Sequence, residues 1–494
     1  MDLGVSQEGD GAWTRSKTRG AEASRGGSVR DAAFRLTSAV VGRRFKGAFD
    51  EMRRAQGFSA AELQERAEAR LALLLQHAAE NVPFYRDAYR NLGLDPNQLH
   101  GLDDLRKLPV INKNILREYR SEDFLAANVP VNRRLQATTS GSTGEPFSFY
   151  LDRRMMPLVF ASHLFYDSWF GLHPFDRHIR IVAPSMMQRP VQGDTLKAAR
   201  LRYAATTRLQ SLYESWTQRS ASVFEADAVE VHRQTEAFRP HYIVGYTSTL
   251  AVIASELLKR NLPLARKLKG IITIAEILTP ERKLLIERYF DAPVINRYGQ
   301  REFKFWCSQN CMDAPERFHV NTELVISEIL REDGTPAAEG EVGRLVLTNL
   351  HNYVMPFIRY DTGDLARAEG QTVCACGRGF PLIERVEGRA AECIKDSSGK
   401  LVSPMSLSLY LFASNDFADT VRHYQLVEES QNRLRLLVVP ADGFNEQARE
   451  RLCDSLAQLL GESVTIEVKT VKAIPLEKSG KRPLIKPFHH VGVA

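Results

Sequence analysis

The feature that most constrains the fold is a regular exchange of strand and helix patterns between residues 241 and 299. HYIVGY (241–246) reads as a strand and residues 249–261 as a helix; IITIAE (271–276) is a second strand. Thr279-Pro280 then supplies an N-cap and a first-turn proline for the helix ERKLLIERYF, and PVINRYG (293–299) is the next strand. Strand–helix repetition of this kind predicts parallel βαβ units. Parallel sheets place ligand sites at the carboxyl ends of their strands, which directs attention to Tyr298-Gly299-Gln300-Arg301-Glu302.

The flanking segments read differently. Upstream, Ser59 and Glu62 form a capping box that opens a helix with Leu63, Leu71, Leu74 and Leu75 on one side. Residues 155–166 are the most apolar stretch, interrupted by Pro157 and His163, and predict a buried helix. Beyond residue 320 the chain turns to strands: ELVISEIL, a turn at Asp333-Gly334, then EVGRLVLTNL. In the last hundred residues HYQLVEES and RLRLLVVP alternate across Gln431-Asn432, residues 444–460 are helical and SVTIEVKTV is a strand. These form a separate small α+β unit with a boundary near Gly388-Arg389. Residues 1–30 carry little to bury and read as a disordered tail. Residues 31–49 read as a basic amphipathic helix that docks on the main domain, with membrane-surface contact as the alternative.

With 494 residues the chain is too long for one ordinary core. Its charge of +6, from 66 basic and 60 acidic residues, suits anionic small molecules and does not argue for nucleic acid. The sequence shows no long uncharged apolar run and no signal-peptide core, so the expected compartment is the cytoplasm. Six cysteines are too few for a disulfide framework; the oligomeric state stays open, a homodimer included.

Chemistry concentrates in a few short segments. Thr138, Thr139, Ser140, Gly141, Ser142, Thr143 and Gly144 put five hydroxyls and two glycines into seven residues. Glycine lets the backbone approach an anion, and hydroxyls and N–H groups donate to phosphate oxygens. No lysine follows the second glycine, so this is not a Walker A loop; the alternative is a solvated turn. Downstream come YGQRE (298–302), RYDTGD (359–364), Gly388-Arg389 and Ser479-Gly480-Lys481.

As an ordered set, TTSGSTGEP, YGQRE, RYDTGDL, EGR and KSGK resemble the adenylate-forming superfamily of acyl-CoA synthetases. HAAENVPFYRDAYRNLG (77–93) and LPVINKNILRE (108–118) narrow the resemblance to the phenylacetate–coenzyme A ligase family, with its capsular-polysaccharide and deazaflavin-adenylyltransferase-like branches. The resemblance implies an α/β fold: a large N-terminal adenylate-forming domain with mixed and parallel sheets (31–388) and a small C-terminal α+β lid domain (389–494). It implies that Thr138 to Gly144 hold the β- and γ-phosphates of ATP and that Tyr298, after which Gly299 follows, stacks on adenine. Glu302 helps bind Mg²⁺, Asp364 accepts the ribose hydroxyls, and Arg389 contacts ribose or the α-phosphate. Lys481 is the lid lysine, and Glu276 falls near the adenine-facing segment; Tyr246, in GYTSTL, is a separate candidate for the acyl pocket, with a core position as the alternative. Arg301 stands where the family usually has threonine, and Ala391 where a hinge Asp or Lys is common.

The implied reaction activates a carboxylic acid as acyl-AMP and passes it to coenzyme A. Alternatives are transfer to an amine, sugar, carrier protein or cofactor, or a non-catalytic nucleotide-binding relative. A second constellation is Cys307-x₃-Cys311, His319 and Cys374-x-Cys376, five soft or borderline ligands of which four suffice for a tetrahedral structural Zn²⁺. The alternative is ordinary reduced thiols.

Overall fold

A computed structural model of the chain describes residues 43–99, 101–138, 147–173, 175–184, 217–370, 373–415, 417–430, 433–461 and 463–488. The expected N-terminal tail, the first part of the 31–49 helix and Thr139–Gly144 of the phosphate loop lie outside them. The described part of the basic helix, Arg43–Ala55, buries Phe45, Phe49, Met52 and Ala55 in the main core. Next, Ala60–Asn81 carries the complete Ser59–Glu62 capping box and buries Leu63, Leu71, Leu74 and Leu75 on one stripe, as the 3.6-residue period requires.

A hairpin of β1 (Arg134–Thr138) and β2 (Ser148–Asp152) precedes the buried helix Met156–Ser168, in which Pro157 sits harmlessly in the first turn. The central element is one eleven-stranded sheet. Its parallel half comprises β3 (His178–Val182), β4 (Gln218–Ser222), β5 (Tyr242–Tyr246), β6 (Gly270–Ile274) and β7 (Val294–Gly299). Its antiparallel half comprises β8 (Trp306–Cys311), β9 (Ala314–Val320), β10 (Val325–Leu330), β11 (Val342–Asn349), β12 (Tyr360–Ala368) and β13 (Leu382–Arg389). The spatial order is β4-β3-β5-β6-β7-β8-β9-β13-β12-β11-β10. The predicted βαβ units are the parallel half, and the later strands extend the same sheet. Each half has its own packed core.

The joint between β9 and β13 is narrow: only Leu382↔His319 and Ile383↔Phe318 pair across it. A short ribbon of β14 (Ile394–Lys395) and β15 (Leu401–Val402) leads into the C-terminal unit. There β16 (Val421–Ser430) and β17 (Arg433–Pro440) form the expected hairpin, flanked by β18 (Thr465–Thr470) and β19 (Ile485–Lys486), with the helix Glu446–Leu460 packed on the sheet. Its core runs from Ile394 to Ile485, separate from the other two.

Candidate active site

The carboxyl ends of β5, β6 and β7 converge, as parallel strands must. After β6, Ala275 takes a positive φ of 69° and Glu276 follows. The Glu276 carboxylate accepts from the backbone N–H of Ser248 at 2.7 Å and its hydroxyl at 3.0 Å. Ser248 lies in the first turn of the helix Thr247–Lys259, where unpaired N–H groups favour an anion. The same carboxylate accepts from the backbone N–H of Arg482 at 2.8 Å, so it joins the main domain to the C-terminal unit.

Asp364 on β12 and Arg389 on β13 are ladder neighbours, and Arg389 Nε lies 3.1 Å from Asp364 Oδ1. The other oxygen, Oδ2, accepts from the Tyr298 hydroxyl at 2.7 Å and from Gln300 Nε2 at 2.6 Å. Gln300 also donates to the Tyr298 hydroxyl at 2.8 Å. Burial, then the Asp364 charge, holds the Tyr298 phenol well above its ordinary range, so it serves as a donor.

Lys481 is delivered to this network from 117 positions beyond Asp364 in the chain. Burial first, then the Arg389 charge, lowers its pKa, while Glu276, Glu392 and Asp364 oppose that shift. Glu392 is pushed up to about 7 by burial, against the pull of Lys481 and Arg389. The loop tip is held close by Gly480 (φ 81°): a Cβ there would lie 2.6 Å from Val223 Cγ2 and 3.5 Å from the Tyr246 ring. Only glycine meets both demands without strain.

Glu302 is buried, and its Oε1 accepts from the Tyr360 hydroxyl at 2.9 Å and lies 3.1 Å from Lys113 Nζ. Arg301 is exposed, and its charge bears on Tyr246 and Lys304. Tyr246 is buried beside the lid tip. Phe147 stacks on Phe149 at 6.0 Å within the main core. Arg359 of RYDTGD is a framework residue: it pairs with Glu328 at 3.0 Å and donates to the carbonyls of Arg106 and Leu108 at 2.9 and 2.6 Å.

The structure thus brings together Tyr298, Asp364, Arg389, Lys481 and Glu276, with Glu302 one strand turn away; Thr138 ends β1. Sequence reasoning missed Lys113, Gln300, Tyr360, Glu392 and Arg482. Gln300 and Tyr360 sit inside motifs already singled out, Lys113 inside the quoted segment 108–118, and Glu392 three residues after Arg389; none had been given a role.

The cysteine reading needs one correction. Cys311, His319, Cys374 and Cys376 offer ligand atoms that all lie within 4.8 Å of one another, but Cys307 is not among them. Cys307 and Cys311 share strand β8, and a strand rises about 3.3 Å per residue, so four positions separate them by about 13 Å. Cys307 belongs instead to the main core beneath Tyr166, whose hydroxyl donates to its carbonyl at 3.2 Å.

The mixed sheet carries a small C-terminal unit whose Lys481 is electrostatically coupled to Asp364, Arg389 and Glu276. Comparisons add to this. The family described as CapK C-terminal domain matches residues 395–487. The chain is 25% identical over 448 residues to the phenylacetate-coenzyme A ligase of Thermus thermophilus, covering 85% of this chain and 95% of that protein. It is 22% identical over 426 residues to Protein CapK of Staphylococcus aureus, covering 85% and 88%. Among solved structures, 2-hydroxyisobutyryl-CoA ligase in its postadenylation state matches with a TM-score of 0.68 at 21% identity, over 88% of this chain and 91% of that one, and shares the fold. By sequence the chain is similar to proteins named phenylacetate-coenzyme A ligase and CapK, and it shares the fold of 2-hydroxyisobutyryl-CoA ligase. No helix among the described residues is long and apolar enough to cross a membrane.

Proposed function

We propose that the protein activates a carboxylic acid with ATP and transfers the acyl group to coenzyme A. The substrate carboxylate attacks the α-phosphorus, the bond to pyrophosphate breaks, and acyl-AMP forms. The coenzyme A thiol then attacks the acyl carbon and AMP leaves with the electron pair of the broken bond. The observation that carries this reading is the approach of Lys481, on the C-terminal unit, to Asp364, Arg389 and Glu276 on the main domain.

A carboxylate meeting a triphosphate faces charge repulsion, so the protein's part is positioning and screening. Asp364 already gathers donors of the kind a ribose would offer, and a ribose hydroxyl would replace Tyr298 or Gln300 as donor. Arg389 is anchored at one end by Asp364 and is placed to meet phosphate. Phosphate oxygens at Lys481 would restore the charge that burial disfavours. Because the lysine rides on a separate unit, it can be withdrawn before thioester formation. Magnesium would neutralise phosphate charge. Glu302 fits it as a single carboxylate, the rest of the shell coming from phosphate and water; Lys113 would then hold its other side.

The CapK-type C-terminal unit favours a second reading in which acyl-AMP passes to an amine, sugar or carrier protein. ATP–pyrophosphate exchange over a panel of aryl and aliphatic acids tests the first half-reaction, and product analysis with and without coenzyme A tests the second. Acid-dependent exchange with a coenzyme A thioester product is expected. Exchange with no thioester would move the acceptor to the second reading, and no exchange with any acid would defeat both.

A further inference from the structure

The four convergent soft ligands lie outside the nucleotide network, at the narrowest joint of the sheet. Cys311 ends β8, His319 lies on β9, and Cys374 and Cys376 lie in the connection from β12 to β13. The contacts are 3.6 Å for Cys311 Sγ–Cys374 Sγ, 3.4 Å for His319 Nε2–Cys311 Sγ and 3.5 Å for Cys376 Sγ–His319 Nε2. A tetrahedral ion with Zn–S near 2.3 Å and Zn–N near 2.05 Å has edges of about 3.8 Å between sulfurs and about 3.5 Å between sulfur and nitrogen. The spacing therefore fits one small ion. It is far too long for a disulfide, whose sulfurs stand about 2.05 Å apart.

The walls are apolar and tightly built. Trp169 packs edge-on against the His319 ring at 5.5 Å, with Ala314 and Leu382 beside it. Arg378 caps Trp169 at 4.2 Å. The Cys374 carbonyl accepts from Gly377 N–H at 3.0 Å, and Gly377 takes a φ of 75°, which folds the two cysteines toward each other. His319 Nδ1 is buried, and Nε2 faces the thiols of Cys311 and Cys376. Four donors crowded into such walls gain little from one another as protonated groups.

We infer that Cys311, His319, Cys374 and Cys376 bind one structural Zn²⁺ that clamps β9 to β13. Two ladder pairs and one further backbone bond, from Val320 N–H to the Pro381 carbonyl at 2.8 Å, tie this joint, and His319 is a member of one of the pairs. On one side stand Tyr298 and Glu302, at the β7–β8 connection; on the other stand Asp364 and Arg389. The clamp therefore fixes the spacing between the two halves of the proposed nucleotide site, and it does not depend on which acid or acceptor is used.

The test is metal analysis of full-length protein purified without chelator, followed by hydrogen exchange of the zinc-loaded and zinc-depleted forms. About one zinc per chain is expected, released with exposure of three thiols. Exchange is expected to rise on depletion at residues 318–320 and 382–383. Cys376→Ser, the most accessible ligand, should lower zinc affinity by at least about tenfold, while Cys453→Ser leaves it unchanged. Protein without zinc that fails to take it up on titration, or that holds Cys311 and Cys374 as a disulfide, overturns the site. Zinc bound at full level with unchanged exchange at the joint overturns the clamp.

Discussion

Around Asp364, three protein donors already meet one carboxylate, whereas between β8, β9 and the β12–β13 connection three thiols and an imidazole face one another inside apolar walls. Both clusters draw residues from distant parts of the chain, and both join two halves of the molecule. They differ in what occupies the ligand's place. On the proposed function, Tyr298 and Gln300 stand in for ribose hydroxyls, and Arg389 keeps the Asp364 charge paired before and after binding. Of the thiols, Cys376 has Arg378 beside it, whereas Cys311 and Cys374 face each other. A site that exchanges its ligand needs substitutes within the protein; one that keeps its ligand through the life of the fold does not.

This contrast breaks if substitutions in the first cluster mainly cost stability, or those in the second mainly cost chemistry. The largest effect is expected at Lys481→Ala: acid-dependent ATP–pyrophosphate exchange falls by about 10²–10³-fold, with thioester formation from supplied acyl-AMP retained and the unfolding midpoint unchanged. Equal loss of both half-reactions would remove the lid assignment. Gly480→Ala tests the close approach itself. A Cβ would meet Val223 at 2.6 Å, so exchange should drop roughly tenfold or more through poorer lid docking, while circular dichroism stays as in the parent.

Asp364→Asn weakens a charged acceptor, and the KM for ATP should rise about ten- to a hundredfold; a change in kcat alone would argue against ribose contact. Zinc depletion or Cys376→Ser should act the other way round. The unfolding midpoint falls by several degrees, and the rate at saturating ATP stays near that of the parent.

The smallest effect concerns pH. Burial pushes Glu392 up to about 7 from 4.5. Its folded-state value thus lies above its unfolded one, so folding takes up a proton between these values, and this contribution to stability is lost as pH rises through about 7. Glu392→Gln should flatten the decline of the ligand-free unfolding midpoint across that window; an unaltered slope would show that another group is responsible.

Much of this was legible in the chain. The Ser59 capping box, Pro157 and Pro280 in first turns, and the alternation through 241–299 act locally, so sequence displays them directly. Tyr298, Asp364, Arg389 and Lys481 were singled out through the ordered set of motifs and its resemblance, since each segment is weak alone. Lys113 and Tyr360 were not, because their bearing on Glu302 depends on how distant elements pack, which no periodicity records. The inclusion of Cys307 had a different cause. Residues four apart are neighbours on a helix, but on β8 they stand at opposite ends of the strand, and spacing alone carries no statement of which applies. Nor did the sequence reveal that the two strand-rich regions form one sheet joined by two ladder pairs.

The hydrogen bond between Glu276 and residue 482 is made through a peptide N–H, and the guanidinium adds only a charge attraction at longer range. A latch of that kind is blind to mutation: any amino acid at this position can keep it except proline, which has no hydrogen to give. Drift at residue 482 would therefore retune the neighbourhood of Thr249 and Ile474, which the guanidinium reaches, while leaving the catch itself untouched.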